Sequence, residues 1–342
     1  MKRIPIKTWK YLPKYIKNFL IFFFFCISLL IFSFKAYSIN ELGDNKEDIK
    51  WDQKNFEEIS LDILNKVPPE IKDQIEYFLK YYSNDKKEVV ERWFARCFLF
   101  LPYFKSIFQE YEIPEDLVYL AYIESGCNPL ATSPAGAVGI WQFVESTGKR
   151  FGLEISDWID ERRDFIKSTY AAAKYLKVLY KVFGDWRIAI ASYNSGEGKI
   201  KRILEAKNFI NYWELITSDH LSPETNAYFP QWIAITLIAK NPEMYGFFIE
   251  KKDPLYFEKV PVNGTTDLKV FAIAGEIDYQ LLLLINAELR RKVTPPEIIY
   301  FLKIPEGKRE LLFKNLALIK TIRKEKKFGD KKIEIITLDD EI

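Results

Sequence analysis

Histidine is almost missing: His220 is the only one in 342 residues, which excludes a metal centre or a proton relay built on several imidazoles. It reads as a loop residue and not as a catalyst. Neither sign of charge prevails, since 50 basic residues face 48 acidic ones for a net charge of +2. Such a balance gives no argument for nucleic acid as a partner. A long apolar run is lacking too. The uncharged stretch from Phe19 to Phe34 covers roughly 24 Å as a helix, short of the roughly 30 Å hydrocarbon layer. Cys26 inside that stretch has none of the small residues of a lipoprotein cleavage box around it, so lipid anchoring at that thiol is not expected.

What is present is 48% hydrophobic and 16% aromatic content, enough for one sizeable folded body with smaller appendages. Lys2, Arg3, Lys7, Lys10, Lys14 and Lys17 precede the short apolar run, and Ala36-Tyr37-Ser38 follows it as a small-x-small cleavage site. Residues 1–38 therefore read as a cleaved signal peptide, with an uncleaved membrane anchor as the alternative. Either form exports the body, to the periplasm or cell envelope, with membrane contact only through residues 19–34. Cys97 and Cys127 remain in the exported part, either free or joined as one bridge in an oxidising compartment.

The stretch from Ile113 to Pro129 organises the rest. Pro114, Glu115 and Asp116 form a helix start, with proline at its first position and acids at the positive end of the dipole. Leu117, Leu120, Ala121 and Glu124 then recur at helical spacing on one face. Gly126 ends the helix and Pro129 prevents its resumption. Glu124 thus sits on a poorly solvated face at the negative end of the dipole. Both effects raise its pKa, as a general acid requires. The bland alternative is a surface carboxylate at a fraying helix end.

Around this helix the chain is mostly helical. Residues 39–90 read as a helical extension opening at Pro68-Pro69, with Ile71, Ile75, Phe78, Leu79 and Tyr82 on one side. A helix over about 87–111 should be kinked or divided by Pro102. The segment 160–164, Asp-Glu-Arg-Arg-Asp, reads as a solvated face or a set of helix-start ion pairs. A strong helix over 165–183 stops at Gly184, and Asp185 caps the next one. A last long apolar helix is expected over about 228–240. Past Pro254 the order becomes β-α-α-β, with strands at 256–262 and 298–304 and helices at 267–276 and 279–289. Residues 307–342 read as a charged tail without legible chemistry.

Four stretches, taken together, resemble a known family. Glu124-Ser-Gly-Cys-Asn-Pro129, the run from Ser133 to Phe143, Ala191-Ser-Tyr-Asn-Ser-Gly196 and Pro223-Glu-Thr-Asn-Ala-Tyr228 are similar, in order and spacing, to the soluble lytic transglycosylase domain. The runs 158–164 and 168–173 resemble its membrane-bound D branch. The resemblance implies an α+β, mostly α, goose-lysozyme-like fold, with residues 91–250 as catalytic domain. It implies cleavage of the peptidoglycan glycan strand between N-acetylmuramic acid and N-acetylglucosamine, leaving 1,6-anhydro ends, without cofactor or metal. Glu124 matches the single acid of that family, which acts first as acid and then as base. Ser133 and Gln142 match saccharide-contacting positions, Tyr193 and Asn194 a groove-lining pair, and Glu224 an acidic position on the cleft wall. Val144, Asn226 and Cys127 depart from the usual residues at their positions. Residues 254–306 resemble a divergent LysM module, implying a grip on N-acetylglucosamine chains, with a plain structural cap as the alternative.

Elementary glycosidase chemistry agrees with this. A hydrolase needs two carboxyl groups about 5 Å or about 6.5–9.5 Å apart. Asp116, the nearest acid inward on the Glu124 helix, is roughly 12 Å away along the axis. Glu145 or Glu224 could still approach through the fold. Two further readings therefore stand beside the transglycosylase: a muramidase that uses water, and an inactive peptidoglycan-binding scaffold.

Overall fold

The computed structural model describes residues 67–207, 212–249, 254–296 and 298–339, all of them within one unit, Lys54–Ile342. The expected leader and the start of the extension lie outside the described residues. Among the described residues no helix is long and apolar enough to cross a membrane.

The first helix, α1 (Pro69–Lys80), starts with proline at its first position and Glu70 in its first turn, and buries Ile71 and Ile75. A π-helical turn, Tyr81–Asp85, rolls the chain so that Tyr82 faces inward, before α2 (Lys87–Glu110). Of the kink or division expected at Pro102, the division is absent: α2 runs through it as one helix. The ring lies on the exposed side, while Phe94, Cys97, Phe100, Phe104 and Phe108 pack on the other. Each fully buried aromatic side chain contributes about 2–3 kcal/mol, which offsets one missing backbone hydrogen bond.

The Glu124 stretch is not α-helical throughout. Glu115–Tyr119 forms a 3₁₀ turn, and only Leu120–Ser125 is α-helix (α3). The Asp116 carbonyl accepts from the Trp232 indole N–H at 3.1 Å, and the Leu120 N–H bonds instead to the Leu117 carbonyl. A short α4 (Glu145–Arg150) follows. Next come α5 (Phe165–Phe183), capped by Asp164 and stopped by Gly184, and α6 (Trp186–Ser195), capped by Asp185, as the spacing predicts. Then α7 (Glu197–Lys207) and α8 (Tyr212–Ile216) lead to α9 (Pro223–Lys240). Buried along most of the stretch from Tyr228 to Ile238, α9 packs against α1, α3 and α6. It begins about five residues before its expected start, because Ser222 Oγ accepts from Thr225 N–H and Pro223 fills the first position. That extension brings Glu224 onto the helix, one turn before Tyr228.

Beyond it lie β1 (Phe257–Asn263), α10 (Leu268–Ala274), α11 (Tyr279–Ile285) and β2 (Ile299–Pro305). The two strands pair antiparallel, Val260 opposite Leu302. The expected β-α-α-β order is therefore present, over a core of its own built on Val260, Leu268, Phe271, Leu282, Leu302 and Ile304. The expected tail is folded: α12 (Arg309–Leu316) precedes a hairpin of β3 (Thr321–Phe328) and β4 (Lys331–Leu338). Phe328 pairs with Lys331 across a two-residue turn, and Gly329 there has φ +60°, as such tight turns demand. Bonds of 3.0 and 2.9 Å tie Ile336 to Asp267 and Thr265.

Candidate functional site

A cavity of about 540 Å³ is lined by Glu124, Ser133, Gln142, Tyr193, Asn194 and Glu224, so the six residues singled out from sequence meet in one place. Each arrives on a different support. Glu124 occupies the last turn of α3, which Gly126 closes with φ +57°. A methyl group on Gly126 would lie 2.0 Å from the Trp93 ring, so only glycine fits this turn. Directly after it, Cys127 is bridged to Cys97 of α2 across 5.1 Å between Cα atoms. Of the two alternatives left open, bridged or free, the bridge is the one present.

Ser133 and Gln142 lie on the loop after α3. The Ser133 hydroxyl accepts from the Ala137 N–H at 3.1 Å. Gln142 adopts φ +49°, and its amide Nε2 donates to the Gly139 carbonyl at 2.7 Å. Tyr193 and Asn194 end α6. The Tyr193 hydroxyl donates to the Trp141 carbonyl at 2.9 Å, and Asn194 Oδ1 accepts from Thr225 Oγ1 at 2.9 Å. Glu224 stands exposed on the wall, one turn before Tyr228.

Glu124 is half-buried, and its carboxyl Oε1 accepts a short hydrogen bond from the Tyr228 hydroxyl. Loss of hydration pushes its pKa up to about 7, with the charge of Glu224 adding to the rise and the Tyr228 hydrogen bond opposing it. Burial and the charge of Glu124 hold the hydroxyls of Tyr193 and Tyr228 protonated, well above the usual phenol range. At neutral pH the cavity therefore offers a carboxyl group on the point of ionising, held by one permanent hydroxyl donor, Tyr228. Replacing Tyr228 by Phe removes the one contact that favours the anion. A carboxyl NMR titration is expected to put Glu124 in Tyr228→Phe above its pKa in the parent chain; an unchanged or lower value would contradict this.

Tyr228 was not among the residues chosen from sequence as site residues. Its signal was present: Glu224, Tyr228 and Gln231, all on the cavity wall, follow i, i+4, i+7 spacing on α9. Of the two readings of residues 160–164, the helix-start ion pairs are present, Asp160 with Arg162 and Glu161 with Lys167, and the solvated face is not. Asp160, Glu161, Arg162 and Asp164 are buried, and Arg162 lies against the loop carrying Ser133 and Gln142. Glu145, the other acid considered, is exposed and pairs with Lys149 at 2.6 Å.

The transglycosylase SLT domain family matches residues 102–216. Membrane-bound lytic murein transglycosylase D of Escherichia coli strain K12 is 31% identical over 211 residues, which are 60% of this chain and 46% of that protein. A putative tributyltin chloride resistance protein of an Alteromonas species is 40% identical over 119 residues, 34% of this chain and 58% of its own. Among solved structures, the 70 kDa soluble lytic transglycosylase of Escherichia coli is 25% identical over 38% of this chain and 23% of its own, with a TM-score of 0.34. The chain spans about half the length of the curated relatives it matches. The family match spans residues 102–216, and Glu124, Ser133, Gln142, Tyr193 and Asn194 all fall within the matched stretch.

Proposed function

We propose that this protein is a lytic transglycosylase of the cell envelope that cuts the peptidoglycan glycan strand at the β-1,4 bond from N-acetylmuramic acid to N-acetylglucosamine. The observation that carries the reading is Glu124, a carboxyl group with its pKa raised to about 7 at the wall of a cavity. A group titrating there is protonated often enough to give a proton to the glycosidic oxygen and basic enough to take one back. In the second step it removes the proton of the muramoyl C6 hydroxyl, whose oxygen closes onto C1 to form the 1,6-anhydro ring. The Tyr228 hydroxyl steadies the carboxylate between the two steps. Ser133, Gln142, Tyr193 and Asn194 hold the sugars, Ser133 at the muramoyl N-acetyl group. Glu224 supplies a negative wall that helps to keep Glu124 protonated. The small β-α-α-β module grips N-acetylglucosamine chains in the manner of a LysM unit. The names of the relatives, membrane-bound murein transglycosylases, support the envelope as the place of work.

One observation favours a second reading. Glu224 lines the same cavity as Glu124, and a second carboxylate is what a hydrolase uses to activate water. Purified protein incubated with isolated peptidoglycan is expected to release soluble muropeptides. Binding to the wall without release would leave only a scaffold role.

A further inference from the structure

The 133–143 loop has no helix or strand to stiffen it, and Gln142 within it holds a left-handed backbone conformation. Such a residue costs on the order of 1 kcal/mol and persists only where its surroundings fix it. Within the loop Val138 and Phe143 exchange backbone hydrogen bonds of 3.0 and 3.2 Å, and the contacts from outside it are made to its carbonyls. Arg162 Nη1 donates to the carbonyls of Gly136 and Phe143, at 3.2 Å each. Between them, the Ile140 carbonyl accepts from Ser125 Oγ at 2.8 Å and the Trp141 carbonyl from Tyr193. Gly139, with φ +86°, comes so close that a methyl group on it would lie 1.8 Å from the Arg162 carbonyl oxygen. Arg162 uses its other donors as a fork on Asp160, Nε to Oδ1 at 2.9 Å and Nη2 to Oδ2 at 2.8 Å. This pair clamps the loop at Gly136 and at Phe143.

The clamp is itself held from the β-α-α-β module. The Asp160 N–H donates to the Glu288 carbonyl at 2.9 Å, and the Arg290 N–H to the Trp158 carbonyl at 3.0 Å. Ile159 and Leu289 pair between them as an antiparallel bridge. At the other end of the segment, Asp164 Oδ2 is 2.8 Å from Lys303 Nζ, which also donates to Glu288 Oε1. Lys303, Glu288 and Asp164 are 2%, 3% and 4% exposed, so loss of the lysine leaves two carboxylates buried without a counter-charge.

We propose that the β-α-α-β module is a positioning element of the candidate site: through Lys303 and the 288–290 backbone it fixes the Asp160–Arg162 clamp, and through the clamp the loop that presents Ser133 and Gln142. The proposal rests on the reading of that loop as a saccharide contact, and gives the module a role beyond gripping glycan. A module that served only as a tether would need no backbone pairing with the body.

Hydrogen–deuterium exchange on the full chain tests this without any need for activity. Lys303→Met is expected to speed exchange of the 136–143 amides about tenfold, with α9 unmoved, and Lys303→Arg to restore most of the protection. Arg162→Lys keeps a charge for Asp160 but loses the fork onto two carbonyls. On soluble glycan it is expected to raise KM about tenfold with kcat changed less, and to leave the pH limb set by Glu124 in place. A loop as protected as in the parent chain overturns the proposal, and so does loosening that spreads evenly into α9. Should Lys303→Met not fold, the paired change Arg290→Ala with Arg291→Ala carries the same exchange test. It removes exposed hydrogen bonds to the carbonyls of Ser156 and Asp157 and the stacking of Arg291 on the Trp158 and Phe328 rings, and a smaller rise in the loop is expected. Failure of the proposed activity would leave the exchange result standing, so the two can fail separately.

Discussion

Glu124→Gln is expected to lower turnover on peptidoglycan by about 10³-fold, the scale of a lost general acid–base group, while binding to the wall persists. The same substitution should change stability in a pH-dependent way. Glu124 has its pKa raised to about 7 by burial, above the usual value for glutamate near 4.3, so the folded chain binds more protons than the unfolded one between those limits. Stability then falls as pH rises through that window. Glutamine carries no charge to bury. The variant should melt like the parent at pH 4 and above it at pH 8, by about 1–3 kcal/mol of added stability. Thermal melts at the two pH values check this. A variant less stable at pH 8 would mean that Glu124 is comfortable as an anion, and the raised pKa would have to be abandoned.

The second large effect concerns the bridge behind the acid. Cys97 and Cys127 close a loop of 30 residues, and both are fully buried. Loop-closure entropy assigns such a cross-link about 3–4 kcal/mol. The paired change Cys97→Ala with Cys127→Ala should therefore lower the melting temperature by roughly 10 °C. It should also reduce turnover, because Cys127 lies three residues after Glu124 and fixes the left-handed turn that ends α3. Calorimetry on the parent and the variant measures the first effect. A shift under about 2 °C would mean that the bridge braces nothing.

Much of the site was legible because its signals are local. Gly126, Gly184 and Asp185 stop or cap helices through contacts within a few residues, and spacing alone places Glu124 on its apolar face. The strands of the β-α-α-β module fall within one residue of their expected bounds for the same reason. What could not be read depends on partners distant in sequence. Residues 160–164 look like a solvated run of charge, yet Asp164 finds Lys303 and Arg162 finds two loop carbonyls. The Asp116 carbonyl meets Trp232, which no window around Ile113 contains. Tyr228 and the hairpin after Gly307 are a different case. The i, i+4 step from Glu224 and the Gly329-Asp330 pair ahead of Ile333-Glu-Ile335 are both local signals. The first belongs to a cleft motif, and the second lies in a run dominated by charge.

One carboxyl group serving both proton transfers makes a sharp chemical statement, because the departing strand end is then capped by its own C6 oxygen and not by water. Digestion of purified peptidoglycan in water labelled with heavy oxygen, followed by mass spectrometry of the new muramoyl ends, reads this out. Anhydro ends, lighter by one water and free of label, are the expected product. Reducing ends carrying one heavy oxygen at each cut would show that water attacks, with Glu224 or another group as its base, and would contradict the single-acid mechanism.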